Sequence, residues 1–303
     1  MIRRSIERHA IFVVLLLECI VLTVTTDAFL TSTNLGNVLR QNAFTAVLAA
    51  GMTFVIVSGA IDLSVGSIVG FAGVLSADLM VRGVPVSVAV CAGVLSGVAI
   101  GALNGFVVTR LRVPAFVVTL AMMLIARGAA FKYTDARTIT GLPESFGLLS
   151  SGIAATLTMA AVFGASWLVL MRTAFGRHVY AVGGNVEAAS LSGVRVSRVQ
   201  QRVFMISGAC AGLAGVLVAS RLNAGYPRAG EFYELDAIAA VVVGGASLFG
   251  GRGSIWGALG GAFFVGVLNN GLNLFRVSPY DQLMVKGAVL LLAACLDRRK
   301  GDL

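Results

Sequence analysis

The chain has 303 residues, of which 57% are hydrophobic and only 12% charged, with a formal net charge of +9. Soluble domains average about 25% charged residues, so the composition leaves no room for a sizeable soluble domain and indicates one integral membrane domain over residues 1–303. The positive charge does not imply nucleic acid, because the basic residues are scattered between apolar runs and gather on one predicted side, the pattern that orients membrane proteins.

Arg3, Arg4 and Arg8 precede an apolar run from Ala10 to Val24 that contains Glu18. This resembles the start of a signal peptide, but the chain continues Thr-Thr-Asp-Ala-Phe-Leu-Thr without a small-x-small cleavage site, and the run reads as an uncleaved first span. Apolar segments then recur at 41–61, 64–81, 84–108, 114–131, 151–171, 202–221, 232–250, 254–275 and 279–296. With the first at 10–30, they predict an all-α polytopic bundle of about ten transmembrane helices. The segment 232–250 is short and opens near Glu234 and Asp236. Only Asp62 and Leu63 separate the second span from the third, as in a broken or re-entrant helix, which survives in a membrane only where protein buries it or a cavity adjoins it.

With the N-terminus inside, the inner connections hold Arg3, Arg4, Arg8, Arg110, Arg112, Arg252, Arg298, Arg299 and Lys300, together with the five arginines 172, 177, 195, 198 and 202. The outer connections are poorer in basic residues, which places both termini in the cytoplasm. The outer face then carries a loop at 132–150 and a second polar stretch at 221–231, either of which suits a partner or a plain connector.

The central polar segment, 172–202, encloses a short helix. Asn185 is a good N-cap after the helix-breaking pair Gly183 and Gly184. Glu187 suits the positive end of the helix dipole, and Val186, Ala188, Ala189 and Leu191 supply an apolar side. Gly193 is a natural residue to end it, in the left-handed conformation.

Glycine also marks close packing. Gly66-Ser67-Ile68-x-Gly70-x-x-Gly73 and Gly253-Ser254-Ile255-x-Gly257-x-x-Gly260 follow one pattern. Small residues at helical spacing let membrane helices approach, and an internal repeat is the sharper alternative. The cysteines 19, 91, 210 and 295 stand singly in apolar stretches with no CxxC spacing, so disulfide, zinc and redox chemistry all lack support.

Glu187-Ala188-Ala189-Ser190-Leu191-Ser192-Gly193 fits the Glu-Ala-Ala-x-x-x-Gly loop of ABC importer permeases. Further segments, in order along nearly the whole chain, resemble the ribose-type branch of that family. They include Ser58-Gly59-Ala60-Ile61-Asp62-Leu63-Ser64-Val65-Gly66-Ser67, Pro114-Ala115-Phe116, Tyr180-Ala181-Val182-Gly183-Gly184-Asn185, Glu234-Leu235-Asp236-Ala237 and Leu268-Asn269-Asn270-Gly271. Ala60 beside Gly59 is a small departure from the family's pattern.

The resemblance implies a permease subunit of a bacterial inner-membrane importer for a small sugar, a ribose-like pentose or a hexose. A second permease, either another copy or a homologue, would complete the membrane core among the lipids, and a periplasmic sugar-binding protein would deliver the cargo. Separate cytoplasmic ATPase subunits would bind ATP, and no cofactor is expected on this chain. Gly183, Gly184, Asn185, Glu187, Ala188, Ala189, Leu191 and Gly193 would then form the ATPase-coupling element.

Polar residues in apolar spans are costly and are site candidates by default. Asp62 suits a cap on a broken helix or a place on the translocation pathway, with Ser64 beside it. Asn104, Asn269, Asn270 and Asn273 offer amides to a passing sugar hydroxyl, or equally to a neighbouring helix. Lys286 is expected to snorkel outward from the last span. The chain has no G-x-x-x-x-G-K-[ST] and no HExxH, so it carries neither its own P-loop nor a zincin motif. An ion-coupled transporter is the main alternative and would use Asp62, Glu18 or Asp78. An intramembrane enzyme is a second, for which no nucleophile–base or metal constellation appears.

Overall fold

In the computed structural model, the backbone of residues 2–301 and the side chains of 11–295 and 297 are described. The inner-face basic groups expected at 3, 4, 8 and 298–300 lie outside the described side chains. The described residues form thirteen α-helices and one short 3-10 turn, with a single isolated β-bridge. The helices are α1 (Ile2–Thr25), α2 (Ser32–Val57), α3 (Val65–Val81), α4 (Val86–Arg110), α5 (Ala115–Thr134) and α6 (Glu144–Gly147). After the turn come α7 (Gly152–Arg172), α8 (Ala174–Gly184), α9 (Val186–Leu191), α10 (Val196–Leu222), α11 (Tyr233–Val243), α12 (Ile255–Leu274) and α13 (Pro279–Gly301).

Six of these, α2, α4, α5, α7, α10 and α12, are long and apolar enough to cross a membrane. The segment expected as a span at 232–250 is different. α11 has 11 residues, about 17 Å at 1.5 Å per residue, roughly half of a hydrocarbon core. The chain stops being helical at Gly244, and Gly245 takes φ +92°, a conformation that β-carbon sterics disfavour.

Helices α2 and α10 lie at the centre, buried over most of their length, while α4, α5 and α7 expose most of their apolar surface. The tightest seam joins α4 to α10. Gly93, Gly97, Gly101 and Gly105 recur every fourth residue on α4, and all are buried. They face Gly212, Gly208, Phe204 and Gln201 in turn, so the helices run antiparallel with backbone against backbone. A β-carbon on Gly97 would overlap the Gly208 carbonyl and lie 2.9 Å from the Gly212 Cα. Close approach of small residues supplies the dispersion that hydrophobic transfer cannot supply between helices in lipid. Helix α1 packs along α12 in parallel, with Ile11 and Phe12 against Gly260 and Leu22 against Gly271.

The two polar stretches expected on the outer face come together. Ile139 and Gly225 exchange backbone hydrogen bonds of 2.9 and 2.8 Å, and the Ser220 hydroxyl donates to the Phe146 carbonyl at 2.6 Å.

Gly97→Leu is expected to push α4 off α10 and destabilise the fold by more than about 2 kcal/mol, as overpacking does. Thermal unfolding in detergent checks this against Gly164→Leu, a site with nothing within 4 Å of an added β-carbon.

Candidate functional site

The segment 172–202 contains two helices rather than one. The sequence marks Gly183 and Gly184 as breakers, yet both end a preceding helix, α8. Its N-cap is Thr173, whose hydroxyl accepts from Gly176 N at 3.2 Å. Helix α8 is amphipathic: Val179 and Val182 are fully buried in the main core, and the Phe175 ring stacks against Phe54 of α2 at 6.4 Å. That tertiary burial carries the helix through its terminal glycines.

The break falls at Asn185, which is extended at φ −160° and ψ 110°. Its side-chain oxygen accepts from Ala188 N at 2.9 Å, capping α9 as expected. At the other end Gly193 takes φ +83°. Gly193 N donates to Ser190 O and Val194 N to Ala189 O, both at 3.0 Å, which is the paired pattern of a Schellman stop. Of the six residues of α9 only Ala189 is buried. Glu187 and Ala188 are exposed, and Leu191 is 90% exposed. The helix is thus closed by its own caps at both ends and leaves Leu191 bare.

Where α8 ends it meets two loops, 58–64 after α2 and 244–254 after α11. A β-carbon on Gly183 would overlap the Val57 carbonyl and come within 2.6 Å of Gly251 N. One on Gly250 would lie 2.7 Å from Gly183 O and 2.8 Å from the Gly59 Cα. Gly251 N donates to Val57 O at 2.9 Å, tying the two loops together. One turn earlier on α8, the Tyr180 hydroxyl donates to Gly253 O at 2.8 Å. Burial raises the phenol's pKa, which keeps it a donor.

The loop between α2 and α3 is a true break, and Asp62 lies at its centre, fully buried. Its Oδ1 accepts from Ser64 N at 3.0 Å and Ser64 Oγ at 2.6 Å, and its Oδ2 accepts from Ser207 Oγ of α10 at 2.8 Å. Asn104 of α4 donates to Ser64 Oγ at 2.9 Å, while its own Oδ1 is buried without a partner. Thr119 of α5 donates to the Ile61 carbonyl at 3.2 Å. Higher on α5, the Arg127 guanidinium donates to the carbonyls of Pro227, Ala229 and Gly66 at 2.8, 2.7 and 3.2 Å. Arg127 thus pins the approach to α11 against the start of α3.

The remaining amides are dispersed. Asn270 and Asn34 exchange side-chain hydrogen bonds of 2.8 and 3.0 Å, joining α12 to α2. Asn273 is exposed and accepts from Gln282 at 3.0 Å. Asn269 is half-buried, one turn before it. Lys286 does not snorkel outward: its Nζ lies 2.9 Å from Asp236 Oδ2, with side-chain exposures of 19% and 7%. An acceptor on α11 outcompetes solvent because both groups are already largely removed from water. Glu18 of α1 and Asn42 of α2 keep their side-chain polar atoms buried without hydrogen bonds.

The family model for the branched-chain amino acid transport system / permease component matches residues 34–294. This chain is a member of that permease family. It is 44% identical to the ribose import permease protein RbsC of Bacillus subtilis, over 95% of this chain and 92% of that one. It is also 44% identical to RbsC of Escherichia coli K12, over 97% and 94%. The xylose transport system permease protein XylH of E. coli K12 is 40% identical over 91% of this chain and 87% of its own length. No solved structure matches the chain.

In this permease, several residues that hold the site together escaped the sequence reading. Arg127 carried a signal, a cation in the interior of an apolar helix. Ser207 and Asn34 carried none, since each is an ordinary polar residue until its distant partner is placed. The α4 glycines also carried a signal, a four-residue repeat that the sequence reading passed over. Lys286→Met is expected to leave Asp236 buried and unpaired, at a cost of about 3–5 kcal/mol. Adding Asp236→Asn to Lys286→Met should recover part of the loss, and a double-mutant cycle on thermal unfolding in detergent measures it.

Proposed function

We propose that this chain is the membrane-spanning subunit of an ATP-driven bacterial importer for a small sugar of the ribose and xylose class. The observation that carries the reading is the 44% identity to ribose import permeases over 95–97% of the chain. The exposed, doubly capped helix α9 supports it as the element that docks a separate ATPase subunit, which binds and hydrolyses the ATP. Helices α1 to α5, α7, α10, α12 and α13, with α11 and its flanking loops as a partial crossing, make about ten membrane passes. The excess of basic residues on alternate connections supports cytoplasmic termini and a cytoplasmic α8–α9 segment in the inner membrane. The joined loops around Ile139 and Gly225 then face the periplasm, where a sugar-binding protein delivers its cargo. A second permease subunit completes the pathway.

The buried polar residues divide in this reading. Asp62, Ser64 and Asn104 hold the α2–α3 break, and Asn270 locks α12 to α2. Asn273 is exposed, and Asn269 holds a buried side-chain oxygen without a partner, so these two are the better candidates for contact with a passing sugar. The same geometry removes Asp62 as the coupling carboxylate of an ion-driven carrier, because it accepts three hydrogen bonds from Ser64 and Ser207 and is wholly shielded.

Purification from native membranes in mild detergent is expected to bring down a P-loop ATPase in stoichiometric amount. Leu191→Asp should cut its recovery to about a tenth or less, the loss typical of an anchor residue, while leaving the permease folded. Equal recovery with Leu191→Asp would remove α9 from the interface.

A further inference from the structure

We infer that Gly183, with Gly250 and Gly251, is a positioning residue for energy coupling: the end of α8 grips the α2–α3 break and the α11–α12 loop at one point. The inference rests on α9 being the docking element. Helix α9 is almost wholly exposed and is joined to α8 through Asn185 alone. Residues 192–195 join its other end to α10, so a load on α9 enters the membrane part through α8 and α10, and α8 is the path that meets both loops.

Helix α8 delivers that load without slack. Its last turn meets the two loops through backbone atoms, since Gly59, Gly183, Gly250 and Gly251 all lack side chains at the contact. Rotamer changes, which absorb small shifts elsewhere, are not available there, and packed elements move as units. Gly59, Gly250 and Gly251 have φ of +81°, +87° and +71°, so the loops themselves are shaped for this approach. The Gly251–Val57 hydrogen bond makes the two loops one body at the contact.

From that point the chain leads in several directions. The first loop runs through Asp62 to α3, with α10 attached by Ser207. The second runs to α12, and it is also bound to α13, because the Asp297 carboxylate accepts from Ser247 Oγ at 3.0 Å and Leu248 N at 2.9 Å. One displacement at Gly183 therefore reaches α2, α3, α10, α12 and α13 together. Tyr180 adds a second handle on the same loop through its bond to Gly253. These contacts give α8 the geometry of a lever whose tip rests on both broken elements.

The test is the ratio of ATP hydrolysed to sugar taken up in proteoliposomes holding permease, ATPase and binding protein. Gly183→Ala forces the Val57 carbonyl away and should raise that ratio about tenfold, a coupling loss of ordinary size, with the ATPase still bound. Tyr180→Phe removes the hydrogen bond to Gly253 without adding bulk and should raise it about threefold with only a small loss of thermal stability. Tyr180→Phe decides the matter should Gly183→Ala fail to insert. Gly164→Ala, on α7 with open space around it, is the control and should leave the ratio unchanged. A wild-type ratio in folded, ATPase-bound Gly183→Ala or in Tyr180→Phe overturns the positioning role. Failure of the wild-type permease to retain an ATPase overturns instead the docking reading beneath it.

Discussion

A backbone interrupted within an apolar bundle must find hydrogen-bond partners from the protein, because lipid offers none. The break between α2 and α3 meets that constraint through Asp62, whose carboxylate accepts from Ser64 and from Ser207 on α10. Asn104 and Thr119 bring α4 and α5 to the same place. Helices α4, α5 and α10 are thereby fixed around one seven-residue loop, and the position of α8 follows from it, since Gly183 rests on the loop's first residues. The start of α11 depends on the same region through Arg127, which ties Gly66 to the stretch before that helix.

Glycine and buried polarity divide the labour in this bundle. Glycine makes helices and loops approach where dispersion is the main attraction, along α4 and α10 and at the tip of α8. Side-chain hydrogen bonds and the Asp236–Lys286 pair set register where apolar packing would tolerate a slip. The contrast between an almost bare α9 and a deeply seated α8 follows from their sequences. Val179 and Val182 point one face of α8 into the core, whereas α9 is too short to bury more than Ala189.

Much of this was legible beforehand where a local signal existed. Asn185 and Gly193 announced both ends of α9 because capping is a property of single residues and their own backbone. Asp62 at a two-residue gap announced the break. The helix α8 was missed because Gly183 and Gly184 argue against a helix locally, while burial against α2 argues for one from a distance. The span expected at 232–250 was too long for a related reason: apolar composition continues past Val243, but Gly244 and Gly245 end the helix. The outward snorkelling expected of Lys286 fails because its partner lies 50 residues away on α11. The roles of Ser207 and Asn34 were likewise invisible without the packing that delivers their partners.

The most direct measurement is sugar uptake into proteoliposomes carrying this permease, its co-purified ATPase and the matching binding protein. Labelled ribose or xylose should accumulate only when ATP is supplied on the ATPase side, and ionophores that collapse ion gradients should leave uptake unchanged. Accumulation driven by an ion gradient in the absence of ATPase and ATP, and abolished by the ionophore, would contradict the account.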